Sequence, residues 1–291
     1  MTLRTVVLPG VPGLGGVYAR GAVAAGRLAV ERRIGRAPQA LPEVAYEVRG
    51  ATVDATRLTD YQHLLGEPGS DALPAGFVHV VAFPVATALM ARTDFPLPLV
   101  GLVHLSNVVT QRRALRLGEE LDVRAWARDL RPHRAGTQVD LVTEVSVGGE
   151  RVWTGVSTYL AKGDAGSSRE PRDEFVAPVP TGQWRLGGDV GRRYAAVSGD
   201  RNPIHLSALS AKALGFPRAI AHGMYTAARA LADVGAARGE AFVWSVEFAK
   251  PVLLPGTVTV RVAPDDDGFG FTGWDAKRSR PYLTGSVRPL H

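Results

Sequence analysis

Cysteine is absent from all 291 residues. That removes disulfide staples, cysteine–zinc sites and thiolate nucleophiles together, and it suits a reducing compartment. No apolar run is long enough for a membrane span. The longest nearly uncharged stretch, Phe77 to Ala91, is interrupted by His79 and Pro84 and falls short of the ~20 residues a spanning helix needs; it reads as a buried core helix. The opening Met1-Thr-Leu-Arg-Thr-Val-Val-Leu-Pro-Gly10 lacks the basic and long apolar regions of a secretory leader, so a cytoplasmic setting is expected. His-Glu-x-x-His, Gly-x-Ser-x-Gly and a P-loop are all missing. No basic stripe is interleaved with aromatics, so nucleic acid is not expected as a partner. Gly10-Val-Pro-Gly-Leu-Gly-Gly16 follows a strand-like Thr5-Val-Val-Leu8, but its glycine spacing departs from Gly-x-Gly-x-x-Gly and Pro12 sits inside it, which argues against a dinucleotide site. Asp265-Asp-Asp267 before Gly268 reads as a solvated hairpin turn and not a calcium loop. Neither a metal nor any other cofactor is expected.

What is present begins with an excess of arginine. The net charge of +6 is scattered along the chain and not gathered into one block. Two readings stay open: a solvated arginine-rich surface, or attraction to a polyanion such as the phosphates of coenzyme A or the acidic face of an acyl carrier protein.

The length predicts about two domains. Residues 161–183 are rich in Gly, Ser, Pro and charge and read as a linker, leaving an N-terminal part, 1–160, and a C-terminal part, 184–291. The parts repeat each other. Pro217-Arg-Ala-Ile-Ala-His222 leads into the small-residue run Tyr225 to Leu231; Pro74-Ala-Gly-Phe-Val-His79 leads into Val85 to Met90. Val108 to Gly118 resembles Val246 to Gly256, and each glycine precedes an alternating strand, Leu121 to Trp126 and Val258 to Val262. Further alternating runs cover Val139 to Val147, Val152 to Leu160 and Pro281 to Val287. The expected class is α+β, with one long helix and a curled antiparallel sheet in each half.

The stretch that carries chemistry is Tyr194-Ala-Ala-Val-Ser-Gly-Asp-Arg-Asn-Pro-Ile-His205, followed by Phe216-Pro-Arg-Ala-Ile-Ala-His-Gly-Met-Tyr225. Ser-Gly-Asp reads as a turn closing a helix that begins near Gly191. Asn202-Pro203 then fixes the backbone, because proline locks φ and pushes its predecessor to the extended region. A rigid loop brings Asp200 and His205 toward one point, as reversible addition of water to an α,β-unsaturated thioester requires: one group takes a proton from water, and a proton reaches C2. Gly223 opens a helix whose first N–H groups are unpaired and lie at the positive end of its dipole, an oxyanion-hole arrangement for a thioester carbonyl. Blander readings stand beside these: an Asx-turn for Asp200, a hydrogen-bonded structural histidine for His205, a plain helix-start glycine for Gly223. His222 is as readily structural as functional, since His79 holds the matching place in the other half. That half has Asp60 and His63 upstream of its helix but no Asn-Pro brace, so one copy is expected to have kept the chemistry.

These residues resemble the MaoC-like, (R)-specific enoyl hydratase family with the hot-dog fold. Tyr194, Ser198, Gly199, Asp200, Asn202, Pro203, Ile204 and His205 match its first motif, and Phe216, Ile220, Ala221, His222, Gly223 and Met224 its second. Over the full length the chain is similar to the double hot-dog 3-hydroxyacyl-thioester dehydratases of actinobacteria, in which the N-terminal hot dog has lost its motif. The resemblance implies a double hot-dog fold, a catalytic Asp200–His205 dyad and an oxyanion donor at Gly223. It places Ser198, Asn202, Ile204, His222, Met224 and Tyr225 as substrate-side residues, with an acyl-CoA or acyl-carrier-protein thioester as substrate and no cofactor. Two hot dogs in one chain can already make the pairing that single hot dogs make as dimers, so a monomer and a homodimer of double units both stay open. Two rival readings are a hot-dog thioesterase, which wants a carboxylate on the central helix that Tyr225 to Ala232 lacks, and a non-catalytic acyl-thioester binder or scaffold subunit of a dehydratase heterodimer. The first 50 residues match no feature of the family.

Overall fold

A computed structural model describes residues 3–163 and 174–290. In chain order it contains β1 (Arg4–Val7), α1 (Leu14–Arg33), β2 (Val44–Ala51), α2 (Ala55–Leu65), β3 (Ala72–Leu73), α3 (Ala75–Met90), β4 (Val103–Gln111), β5 (Leu115–Arg116), β6 (Leu121–His133), β7 (Gly136–Val147) and β8 (Glu150–Lys162). Then follow β9 (Gly182–Leu186), α4 (Val190–Ser198), a 3-10 turn (Pro203–His205), α5 (Ala208–Ala213), α6 (Gly223–Val234), β10 (Phe242–Phe248), β11 (Gly256–Asp265), β12 (Gly268–Asp275) and β13 (Arg280–Pro289). The runs read as alternating are strands, each longer than its pattern and β6 more than twice as long, and Asp265 to Gly268 turns the β11–β12 hairpin.

The described residues form two compact units, and these are not the two sequence halves. One unit gathers the residues up to Val53, Val78–Leu105 and 118–163; the other gathers Asp54–Phe77, Ser106–Leu117 and everything from 174 onward. The expected partition at 161–183 therefore misses that α2, β3, the end of β4 and β5 belong with the C-terminal elements. Part of the expected linker, 164–173, lies outside the described residues; its flanks run into β8 and β9.

In the first unit the sheet order is β1-β2-β6-β7-β8, antiparallel except for the parallel β1–β2 pair. The described residues up to Gly50 thus form a strand, a helix and all but the last residue of a second strand. α1 buries Leu14, Val17, Gly21 and Leu28, a narrow stripe at helical spacing. α3 is buried along nearly all its length, as expected for Phe77 to Ala91, and it contains Pro84.

In the second unit the order is β4-β10-β13-β12-β11-β9, antiparallel throughout. α6 packs against β10, β11 and β13, and α2 packs against α4 and α6. Small residues on α6 (Ala227, Ala228, Ala230) allow that close approach, while Trp244, Phe242 and Phe271 fill the sheet side. The helices α2 and α4 end alike, on Gly66 and Gly199 in the left-handed region with φ of 77° and 76°, where a side chain would be strained.

The repeat is real but shifted at its helices. α3 starts directly after Pro74, so His79 lies inside the helix, whereas α6 starts after His222, which is its N-cap. An extended strap precedes α6 instead: Ile220 N–H donates to the Ile204 carbonyl, Ala221 N–H to the Val252 carbonyl, and the Ala219 carbonyl accepts from Leu254.

α4 meets the 3-10 turn at Gly191, where a Cβ would lie 2.0 Å from the His205 carbonyl oxygen. No rotamer relieves a clash between backbone and Cβ. Gly191→Ala is expected to cost about 1–3 kcal/mol by urea unfolding. Gly26→Ala, in open space on α1, is expected to be neutral or stabilising by up to ~1 kcal/mol.

Candidate active site

The site is built on the 25 or so residues from the end of α4 to the start of α6, and backbone groups do most of the positioning. α4 closes on Gly199, and Asp200 N–H donates to Ser198 Oγ at 3.1 Å. Asp200 Oδ1 accepts from Asn202 N–H at 3.1 Å, and Asn202 Oδ1 accepts from Ile204 N–H at 3.4 Å to cap the 3-10 turn. The Asx-turn reading of Asp200 is therefore correct, and it does not compete with a chemical role. One carboxylate oxygen holds the loop while Oδ2 stands 3.8 Å from His222 Nε2.

His205 is buried, and its Nδ1 lies 2.8 Å from the Ile220 carbonyl. A carbonyl only accepts, so Nδ1 carries the proton and Nε2 keeps its lone pair in the neutral ring. The same logic assigns His222, whose Nε2 lies 3.0 Å from the Asp200 carbonyl: Nε2 is protonated there, and Nδ1 has no hydrogen-bond partner. The two rings stack with centroids 3.6 Å apart and planes 24° from parallel. The Tyr194 ring also meets His222, tilted by 51° with centroids 4.9 Å apart.

Burial pushes the His205 pKa down, opposed by Asp200 and the Ile220 carbonyl. His222 is pushed to about 3, by burial first and then by the neighbouring His205. Both rings are neutral at ordinary pH.

One ligand-type atom from each of Asp200, His205 and His222 falls within 4.8 Å of the others, close enough to consider a metal ion. The stacking does not fit one. An imidazole binds a metal in its own plane at about 2.0–2.1 Å, and two nearly parallel planes 3.6 Å apart share no point that near to both rings.

Gly223 is the first residue of α6, where N–H groups lack intrahelical acceptors. A Cβ there would come within 3.1 Å of the Phe248 ring, so the glycine also makes room for a packed aromatic. Met224 and Tyr225 are buried. Tyr225 OH accepts from Arg229, and its ring meets Tyr194 edge-on at 5.8 Å. Ile204 is partly exposed, and Ser198 is buried.

Asp60 and His63 are exposed on α2 and form no second dyad. The stronger repeat was missed. Tyr61 to Gly66 has the spacing of Tyr194 to Gly199, and Glu67 follows its glycine as Asp200 follows Gly199. Glu67 is buried and ion-paired with Arg238 at 2.8 Å, so the position equivalent to Asp200 is closed by a salt bridge. Also missed was Arg57, whose guanidinium reaches the end of α4. α6 runs on to Val234 and thus carries Asp233, but that carboxylate accepts from Trp184 Nε1 at 2.8 Å.

The family described as MaoC like domain matches residues 173–273, the stretch holding Asp200, His205 and Gly223. 3-Hydroxyacyl-thioester dehydratase X of Mycobacterium tuberculosis is 38% identical over 254 residues, covering 86% of this chain and 91% of that one. The crystal structure of that organism's HtdX superposes with a TM-score of 0.76 at 37% identity, over 84% of this chain and 100% of the other. A conserved hypothetical protein of M. tuberculosis described as a double hotdog matches with a TM-score of 0.50 at 14% identity, over 82% and 92% of the two chains. The fold is the double hot-dog. Identity of that extent over most of both chains makes this chain a member of the MaoC-like dehydratase family.

Proposed function

We propose that this chain catalyses reversible hydration of trans-2-enoyl thioesters, equivalently dehydration of (R)-3-hydroxyacyl thioesters, in fatty-acid metabolism. The observation that carries this reading is the short braced loop that holds the Asp200 carboxylate beside a neutral His205 whose proton is fixed on Nδ1. The 3-hydroxyacyl-thioester dehydratase relative supports the reaction class.

In the hydration direction, water lies between Asp200 and His205 Nε2. Asp200 takes a proton as the water oxygen bonds to C3, and the π electrons of C2=C3 move onto the thioester as an enolate. The Gly223 N–H, at the positive end of α6, receives the charge on the carbonyl oxygen. The enolate then collapses, and the proton returns to C2 by way of the dyad. His205 orients the water and passes the proton, while Ser198 and Asn202 hold the loop. His222 supports His205 through the ring stack and ties the Asp200 carbonyl to α6. Ile204, Met224 and Tyr225 shape the wall on which the acyl group rests.

The acyl group arrives on coenzyme A or an acyl carrier protein, both anions suited to a chain of net charge +6. A cytoplasmic enzyme, alone or as a homodimer, completes the reading. No helix among the described residues is long and apolar enough to cross a membrane. The pairing of Asp233 with Trp184 weighs against a thioesterase, which would use a helix carboxylate on the thioester.

The test follows loss of the conjugated enoyl-thioester absorbance, with free thiol measured in parallel. Asp200→Asn is expected to lower kcat by about 10²–10⁴-fold without loss of fold, and the wild-type product is the (R)-3-hydroxyacyl thioester. Thiol release in place of hydration would establish the thioesterase instead. His205→Ala is expected to fall as far, since it removes the Nε2 lone pair that the Nδ1–Ile220 bond leaves for the water.

A stability measurement checks the buried histidines. Above the unfolded histidine pKa of about 6.5 neither state binds the proton, and stability is at its full value. As pH falls from there toward about 3 for His222, the unfolded chain takes up protons that the folded chain refuses. Stability is then lost at up to ~1.4 kcal/mol per pH unit per histidine. His222→Gln is expected to make the urea midpoint fall less steeply with acid over that window.

A further inference from the structure

The catalytic loop hangs from the end of α4, and a helix end is where backbone carbonyls run out of partners. The last carbonyls of α4, Val197 and Ser198, have no further helical turn to donate to them. Both are taken by one side chain from about 140 positions earlier in the chain. Arg57 Nε donates to the Val197 carbonyl at 2.7 Å, and Arg57 Nη2 donates to the Ser198 carbonyl at 3.3 Å.

From these contacts we infer that Arg57 is a positioning residue for the reaction, setting the direction in which the chain leaves α4 and so where the Asp200 carboxylate sits. The inference rests on the hydratase reading above but concerns a residue outside the motif.

The planar fork suits the job. Two donors fixed in one plane on successive carbonyls define the orientation of both peptide units, which a single ammonium would not do. The positive group also lies at the negative end of the α4 dipole. Ser198 is the hinge of the relay. Its carbonyl is held by Arg57, and its hydroxyl accepts from Asp200 N–H. The Asp200 carbonyl in turn accepts from His222, which stacks on His205. A shift at Arg57 therefore passes through two peptide units to both members of the dyad.

The root of the side chain is equally fixed. Arg57 N–H donates to the Asp54 carboxylate that caps α2, and the guanidinium stands 5.9 Å over the Phe77 ring. It is partly buried, and desolvation draws its pKa down against Asp54 and Tyr194. The carbonyls of Val197 and Ser198 help offset the cost of drawing this guanidinium out of water.

A plain tie between α2 and α4 would also use these bonds, so the test must separate tying from positioning. Arg57→Ala is expected to lower kcat about 10–100-fold with KM changed less than about twofold. Arg57→Lys, which keeps the charge but not the fork, should recover part of the rate. Added ethylguanidinium should raise kcat of Arg57→Ala and leave Arg57→Lys unmoved. Arg238→Ala is the control: it cuts another buried tie in the same unit, Arg238 to Glu67 and the Leu231 carbonyl, and should lower stability without the kcat loss. A readout independent of activity is amide hydrogen exchange, where the peptide spanning Gly199 to His205 should exchange about tenfold faster in Arg57→Ala while β10–β13 peptides stay unchanged.

Unchanged kcat with unchanged exchange, a rate loss that matches the unfolded fraction, or an effect confined to KM would each overturn the inference. Wild type inactive on every enoyl thioester, with the exchange change still present, would overturn the reaction and leave the positioning intact.

Discussion

Two imidazoles buried face to face, 3.6 Å apart, are tolerable only while both are neutral, and the rest of the site follows from that constraint. Each ring needs one acceptor for its single proton, and each finds a backbone carbonyl: Ile220 for His205 and Asp200 for His222. Those carbonyls lie on an extended strap and a helix-exit loop, the two kinds of backbone that leave oxygens pointing sideways. The strap is extended because bonds to the 3-10 turn and the 252–254 segment hold it. The loop is an exit because Gly199 stops α4. Local backbone shapes thus decide which nitrogen of each ring is left for chemistry.

Much of this lay in the sequence because it is local. Asp200, Asn202 and His205 sit within six positions, so proline stiffness and side-chain-to-backbone bonds translate directly from spacing to geometry. Strand alternation was legible for the same reason, and β6, β7, β8, β11 and β13 appeared where the period of two placed them. What failed to show was tertiary. Nothing near Arg57 announces that its guanidinium ends on α4; only the packing of α2 against α4 puts it there. The ring stack likewise joins residues seventeen positions apart through a strap whose shape depends on Val252 and Leu254. The core helix over Phe77 to Ala91 was legible, but the match of His79 with His222 did not carry over to position, since one lies inside α3 and the other caps α6. Pro74 starts α3 early and buries the histidine within it.

The two halves of the chain show how a duplicated frame is retired. α2 and α4 keep the same tyrosine-to-glycine spacing and the same left-handed ending. After the glycine one copy has Asp200, held at 17% exposure of its side chain, and the other has Glu67 locked to Arg238. The lost copy is no void. Its carboxylate has been turned into a structural ion pair, and its helix supplies the arginine that holds the surviving one.

The compact unit that contains the site is assembled from three separated pieces of chain, two of them from before residue 118. On a ribosome this fixes an order of events. Residues 54–77 emerge early with Leu58, Tyr61, Leu65 and Phe77, all destined for burial, and wait while well over a hundred further residues are made before α4 and α6 exist to cover them. Nascent chains with apolar surface left uncovered for seconds are those that chaperones engage. Cutting the gene at the apparent linker would strand that helix on the wrong fragment.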